Sequence, residues 1–298
     1  MKILLTGSNG FVGAYLKNEL TSRGNDVWGV DFESFSNKTF GASIMDENAL
    51  ADIFRQVEPD YVVHLAAIAD VDQSDEALIY TINFKGTLNV LNSCIQLKKI
   101  PRLVFISSSL VYGNVPTECL PIDESFLVAP VNHYGASKAA AELAVKTFGC
   151  EYGLEYVIFR PFNHTGPGQT EKFVVPKIVN AFRRGDSTIS LGNINTIRDF
   201  TDVRDVVKAY TGIINHFKNG EIYNVASEKG ITISNIIEKL ESITGRAISI
   251  DKKEYLVRKS EIQSIVGNAQ KMKKDIGWEA EISIDETLRA MLNENDET

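Results

Sequence analysis

The chain has 298 residues, 44% of them hydrophobic, with 31 basic against 39 acidic side chains and a net charge of −8. That length suits one large domain carrying a smaller lobe, while the acidic balance, with basic runs no longer than Lys98-Lys99 or Lys273-Lys274, argues against nucleic acid or an anionic membrane as partner. No stretch approaches a membrane span, the first strand follows Met1 too closely for a signal peptide, and the scattered Cys94, Cys119 and Cys150 suit a reducing compartment, so the expected location is cytoplasmic.

The apolar run Ile3-Leu4-Leu5 reads as a buried strand that breaks at Thr6-Gly7-Ser8-Asn9-Gly10-Phe11-Val12-Gly13. A helix follows, because Phe11, Val12, Tyr15, Leu16 and Leu20 recur at three- and four-residue steps and Gly24 supplies a stop. A strand that turns on glycines into a helix aims backbone N–H groups, at the positive end of the helix dipole, at a place where a pyrophosphate can sit. The spacing is G-x-x-G-x-x-G rather than G-x-G-x-x-G, and an ordinary glycine-rich turn satisfies it too. Val27-Trp28-Gly29-Val30 reads as the second strand and ends on Asp31. A carboxylate at that tip accepts hydrogen bonds from the ribose hydroxyls and repels a 2′-phosphate, which favours NAD(H) over NADP(H). Phe32 adds no charge there, whereas Lys38 in the next loop leaves NADP(H) possible. A merely solvated strand-end carboxylate is the competing reading of Asp31.

Residues 46–57 read as a second helix, and 61–65 as a strand ending on Ala66 and Ala67, small enough for close approach of a flat ligand. One long helix is expected over 76–98, with Asn83 inside it, then a strand at 103–106 that runs into Ser107-Ser108-Ser109. An alanine-rich helix at 133–152 and a strand at 156–159, ending at Arg160-Pro161, complete the alternation. The expected fold is α/β, a Rossmann-like doubly wound parallel sheet with a smaller α+β substrate-binding lobe on the C-terminal side. The expected boundaries are 1–165 for the dinucleotide domain and 166–298 for the lobe, with 199–225 returning to or bordering the first. Downstream, helices are expected at 174–184, 202–217, 234–244 and 285–293, and strands at 222–225 and 247–250. His64, His133, His164 and His216 lack ligand spacing, so structural roles and no metal are expected.

Tyr134 and Lys138 stand four apart on one helix face. An ammonium beside a phenol, in a site also holding a cationic nicotinamide, lowers the phenol's pKa and readies it for proton exchange with a sugar oxygen. Tyr255 and Lys259 repeat the spacing far downstream. Position separates the two pairs, since only Tyr134 follows a strand that ends in hydroxyls.

T-G-S-N-G-F-V-G at 6–13, H-L-A-A at 64–67, S-S-S-L-V-Y-G at 107–113, Y-G-A-S-K at 134–138 and R-P-F-N at 160–163 together resemble the extended short-chain dehydrogenase/reductase family of nucleotide-sugar epimerases, dehydratases and reductases. The resemblance covers essentially the whole chain. It implies catalysis by Ser108, Tyr134 and Lys138, and cofactor contacts from Gly7, Gly10, Phe11, Val12, Gly13, Asp31, Phe32, Ile44, Leu65, Ala66, Ala67, Asn83, Ile106 and Pro161 besides Tyr134 and Lys138. It further implies substrate contacts from Ser108, Ser109, Asn163, Val174, Val175, Arg198 and Arg258, the two arginines clamping a nucleotide diphosphate. Two positions depart from the family. Ser43 stands where an aspartate often meets the adenine amino group, and Ser109-Leu110 replace the acidic pair that dehydratases use to eliminate water. The segments at 160–169 and 192–210 resemble the GDP-4-keto-6-deoxy-D-mannose reductases, as does the run from 258 to 278 apart from Lys259 in place of a proline. The implied activity is reduction of a C4 ketone in a nucleotide-linked 6-deoxyhexose, with a 4-epimerase as alternative and a non-catalytic NAD(P)-binding sensor as the alternative from another class. A homodimer is implied by analogy with the family.

Overall fold

The computed structural model describes residues 1–34, 36–69, 75–257 and 261–294. In the first half, runs buried on both faces become strands and one-sided patterns become helices. Strand β1 (Lys2–Thr6) leads to α1 (Phe11–Ser22), β2 (Asp26–Asp31), β3 (Thr39–Gly41), α2 (Glu47–Val57) and β4 (Tyr61–His64). Next come α3 (Glu76–Tyr80), α4 (Gly86–Ile95), β5 (Arg102–Ile106), α5 (His133–Tyr152), β6 (Tyr156–Pro161) and β7 (Asn163–Thr165). Helix α2 starts where the Asp46 carboxylate accepts from the Ala49 N–H, and α5 starts on the same device, Asn132 accepting from Gly135.

The remainder adds α6 (Val174–Arg184), β8 (Thr188–Leu191), β9 (Ile197–Asp202), α7 (Val203–Asn215), β10 (Glu221–Val225) and β11 (Gly230–Thr232). It closes with α8 (Ile233–Thr244), β12 (Ser249–Lys252), β13 (Ser264–Ile265), α9 (Gln270–Ile276) and α10 (Ile284–Leu292). A seven-stranded sheet in the order β10-β6-β5-β4-β1-β2-β3 is parallel throughout. Strand order reverses between β1 and β4, and open parallel sheets bind ligands at such a switch point. One apolar core fills each face of the sheet; a third gathers α6, β8, α8 and α10 around Ile178, Phe182, Ile236 and Leu288. Around β9 gather β7 and β13, both parallel, and β11, antiparallel, while β8 pairs with β12.

The helix expected over 76–98 is interrupted. Residues Thr81–Lys85 form a π-turn between α3 and α4, and helical structure stops at Ile95. Asn83 sits in that turn, bonding both backbone groups of Ile68, at 2.8 and 3.1 Å, and the Ser137 hydroxyl at 3.0 Å. Beyond the turn Gly86 packs on Ile44, where an added Cβ would lie 2.5 Å from Cδ1. A widened turn thus fits the helix both to the 68 loop and to the Ile44 segment. The strand expected at 247–250 begins two residues later, at Ser249.

Candidate active site

A cavity of about 600 Å³ opens where the β1–α1 turn, the ends of β4, β5 and β6, the start of α5 and the third core meet. Gly7, Gly10, Phe11, Val12 and Gly13 line it on one side. Gly7 has φ of +72°, and an added Cβ would lie 2.9 Å from the Ala66 backbone; at Gly13 it would fall 2.0 Å from the Gly7 carbonyl oxygen. These two glycines let strand and helix close up. Gly10 differs, since a Cβ there meets only the Gly7 carbonyl oxygen at 3.4 Å, so the chain itself tolerates one and the space it would fill belongs to the cavity. Helix α1 opens with no side-chain cap and no acidic residue in its first turn, leaving its N-terminal N–H groups for an anion. The residues present therefore fit a dinucleotide pyrophosphate.

Leu65, Ala67, Ile106 and Pro161 continue the wall, whereas Ala66 packs behind it on Gly7. Asp31 stands at the tip of β2 and anchors the turn, accepting from the Asn9 and Phe32 N–H groups at 2.8 Å each. Phe32 is 74% exposed. Ile44 and Asn83 are buried beneath this side rather than on the wall.

Ser108, Tyr134 and Lys138 all line the same cavity. Two residues beyond β5, Ser108 keeps an extended backbone, and its Oγ accepts from the Leu110 N–H at 3.1 Å and hydrogen-bonds the Tyr134 phenol. Desolvation pushes Tyr134 up to about 12, against the pull of that hydrogen bond. Burial draws Lys138 down to about 8, partly offset by Glu142 one turn further along α5. The direction at Tyr134 differs from the sequence expectation for a physical reason. The expected lowering includes the positive charge of a bound nicotinamide, whereas in the protein alone desolvation outweighs the neighbouring groups; Lys138 Nζ donates to the Ile106 carbonyl oxygen at 2.8 Å and lies over the Phe105 ring. Beneath the cluster, Glu142 accepts from Ser107 Oγ at 2.6 Å and from Arg160 Nε and Nη2 at 2.9 and 2.7 Å, wholly out of water.

On the far wall are Ser109, Asn163, Val174, Val175 and Arg198. Arg198 donates to the Ile197 carbonyl oxygen, at the edge where β13 joins β9. Arg258 and Lys259 lie outside the described residues, and Tyr255 is 78% exposed. Sequence reasoning gave no site role to several wall residues. His164 stacks on Phe11 with ring centroids 6.4 Å apart, Asn193 donates to Glu261 at 2.7 Å, and Tyr210 reaches the cavity from α7. His164 sat in the stretch that carried the resemblance, whereas Tyr210 shows only as one more apolar position of an amphipathic helix. His64 takes no part: hydrogen bonds to Thr6 and Thr87 occupy both ring nitrogens, and burial lowers its pKa to about 3. Among the described residues no cluster of His, Cys, Asp or Glu could hold a metal, and no helix is long and apolar enough to cross a membrane.

A doubly wound sheet with a glycine turn at its switch point marks a dinucleotide-binding fold, and sequence comparison narrows the class. Residues 4–291 match the model of the family described as GDP-mannose 4,6 dehydratase, and the chain belongs to that family, an enzyme of the extended short-chain dehydrogenase/reductase type. It is similar to the GDP-6-deoxy-D-mannose reductase of Pseudomonas aeruginosa, at 32% identity over 98% of this chain and 96% of the relative. It is similar also to the GDP-6-deoxy-D-talose 4-dehydrogenase of Aggregatibacter actinomycetemcomitans, at 33% over 99% and 96%. A solved P. aeruginosa protein, in complex with NADPH, superposes with a TM-score of 0.87 at 32% identity, covering 98% of this chain and 97% of that one.

Proposed function

We propose that the chain modifies nucleotide sugars as a reductase, converting the C4 ketone of a 4-keto-6-deoxyhexose, carried foremost on GDP, to an alcohol. The observation that carries this reading is the convergence of Ser108, Tyr134 and Lys138 on one cavity with the glycine turn. The relatives named for GDP-6-deoxyhexose chemistry support it. When bound, a nicotinamide dinucleotide supplies the hydride and, once oxidised, a positive charge that lowers the Tyr134 phenol. Ser108 and Tyr134 hydrogen-bond the sugar oxygen, and Tyr134 gives it a proton as the ketone becomes an alcohol. Lys138 holds the nicotinamide ribose. Ser109 and Leu110 supply neither an acid nor a base beyond these, so the dehydratase chemistry in the family's description is not assigned to this chain.

Asp31 favours NAD(H), with NADP(H) accepted less well, although the P. aeruginosa structure holds NADPH. Arg198 and Arg258 are assigned to the substrate's diphosphate, residues 1–165 to the dinucleotide domain and 166–298 to the substrate lobe. Three free thiols suit the cytoplasm. Exposed Leu78 and Tyr80 on α3 and Leu143 on α5 suit a homodimer through those helices. The test is a panel of GDP-, dTDP- and UDP-linked 4-keto-6-deoxy sugars with NADH and NADPH. Turnover of the GDP compound with NADH is expected to exceed every other combination; no turnover of any 4-keto sugar contradicts the reading.

A further inference from the structure

Alternate residues of β9 face opposite ways. Thr196, just ahead of the strand, Arg198 and Phe200 line the cavity, whereas Asp199 between them is wholly buried and does not. Four N–H and O–H groups, and no ion pair among the described residues, hold its carboxylate. Oδ1 accepts from the Ser227 N–H at 2.8 Å and the Ser227 hydroxyl at 2.6 Å, and Oδ2 accepts from the Glu228 N–H at 3.0 Å and the Gly267 N–H at 3.2 Å. These donors come from two stretches distant in sequence. Ser227 and Glu228 lie in the turn between β10, an edge strand of the seven-stranded sheet, and β11. Gly267 follows β13, and the approach to β13 carries Glu261 and Ile262, both on the cavity wall.

The arrangement is costly. A carboxylate out of water without a cation is unfavourable, and Glu228 holds φ at +63°, a conformation that a side chain disfavours. A neutral amide of the same size has one oxygen and could not accept all four bonds. We propose that Asp199 is a positioning residue for the wall assigned to the substrate: by fixing the 227–228 turn and the exit of β13 to the underside of β9, it sets the spacing between Arg198 and the 261–262 stretch, and so the subsite for a nucleoside diphosphate. The inference rests on the assignment of Arg198 to that diphosphate. Ser108, Tyr134 and Lys138 stand on α5 and just beyond β5, and none of them bonds Asp199. The segment after β13 also keeps a second hold, since the Ile122 N–H donates to the Val266 carbonyl oxygen at 2.9 Å and the Asn268 N–H to that of Ile122 at 2.8 Å. Loss of the carboxylate therefore loosens one side of a segment still held on the other.

The test compares Asp199→Asn and Ser227→Ala with the unmodified protein, by calorimetry with GDP and with NADH and by steady-state kinetics with GDP-4-keto-6-deoxymannose. Asp199→Asn is expected to weaken GDP about tenfold and to raise KM by a similar factor, leaving NADH affinity and kcat within about twofold. Ser227→Ala loses the 2.6 Å bond and keeps the backbone donors; it is expected to weaken GDP about threefold, and it carries the test should Asp199→Asn not fold. Unchanged GDP affinity in the folded variants overturns the proposal. So does a fall in kcat at unchanged KM, or an equal loss of GDP and NADH affinity, which marks a group that serves only the fold. Failure of the unmodified protein to bind GDP would refute the nucleotide reading and this inference with it, whereas equal binding of GDP by the unmodified protein and both variants refutes the inference alone.

Discussion

Removing the Glu142 carboxylate perturbs the fold and the cavity together, and the structure sets the size of both effects. Glu142 and Arg160 are each 2% exposed, and Glu142 takes two hydrogen bonds from the guanidinium and one from Ser107. Among the described residues Arg160 Nη1 already lacks a hydrogen-bond partner, and the Tyr112 ring lies 4.9 Å from the guanidinium carbon. Glu142→Ala leaves a buried guanidinium with no counter-charge, a loss of about 3–5 kcal/mol. Against a total stability of roughly 5–15 kcal/mol, the variant folds at low temperature with a much reduced margin. Glu142→Gln keeps the volume but turns an N–H toward Ser107 or Arg160, so it too is destabilised. The second effect concerns Lys138. Loss of the Glu142 charge lets its pKa fall further below about 8, so the ammonium is lost at a lower pH. Dinucleotide affinity that depends on that ammonium is present below the Lys138 pKa and declines as pH rises through it. The alkaline decline therefore moves to lower pH in Glu142→Gln. For stability the sign is opposite: a lysine depressed from 10.5 to about 8 leaves the unfolded chain binding more protons between those values, so its contribution rises with pH there. Urea unfolding and NADH titration across pH measure the two effects. A Glu142→Ala variant within about 1 kcal/mol of the unmodified protein would refute the account of the buried pair.

Tyr134→Phe should leave NADH affinity nearly unchanged while lowering turnover by roughly two to four orders of magnitude, whereas the exposed Tyr255→Phe should be silent in the same steady-state assay. Asp31→Ala should narrow the preference for NADH over NADPH by removing repulsion of a 2′-phosphate, and should loosen the turn by removing the acceptor of the Asn9 N–H; kcat/KM for both cofactors is the readout. Arg198→Glu should weaken GDP binding in calorimetry while sparing NADH, because Arg198 lines the cavity and is the arginine proposed to meet the substrate's diphosphate. Unchanged GDP affinity would move the diphosphate elsewhere.

The parallel sheet was legible because β1, β4, β5 and β6 are buried runs that hardly any other structure would accommodate. The glycine turn was legible for the same kind of reason, since Gly7 and Gly13 stand where a side chain would collide with backbone. Elements held by tertiary pairing were not. Strand β3 is three residues long, and β9 reads Ile-Arg-Asp-Phe-Thr-Asp, a pattern without apolar alternation. Asp199 can be buried there only because Ser227, Glu228 and Gly267, all distant in sequence, donate to it. The π-turn at 81–85 likewise depends on partners at Ile68 and Ser137. The Tyr134–Lys138 spacing was visible, but the destination of the ammonium was not. Its hydrogen bond to Ile106 joins a helix to a strand 32 residues earlier in the chain, and local pattern carries no trace of it.

The central claim, that the hydride leaves with the sugar product, is tested most directly by nicotinamide absorbance during turnover of GDP-4-keto-6-deoxymannose. The account predicts one NADH consumed for each sugar reduced, and no interconversion of 4-hydroxy epimers without added cofactor. Sugar product forming while the absorbance stays flat would contradict it and make the chain an epimerase that returns the hydride to the ring.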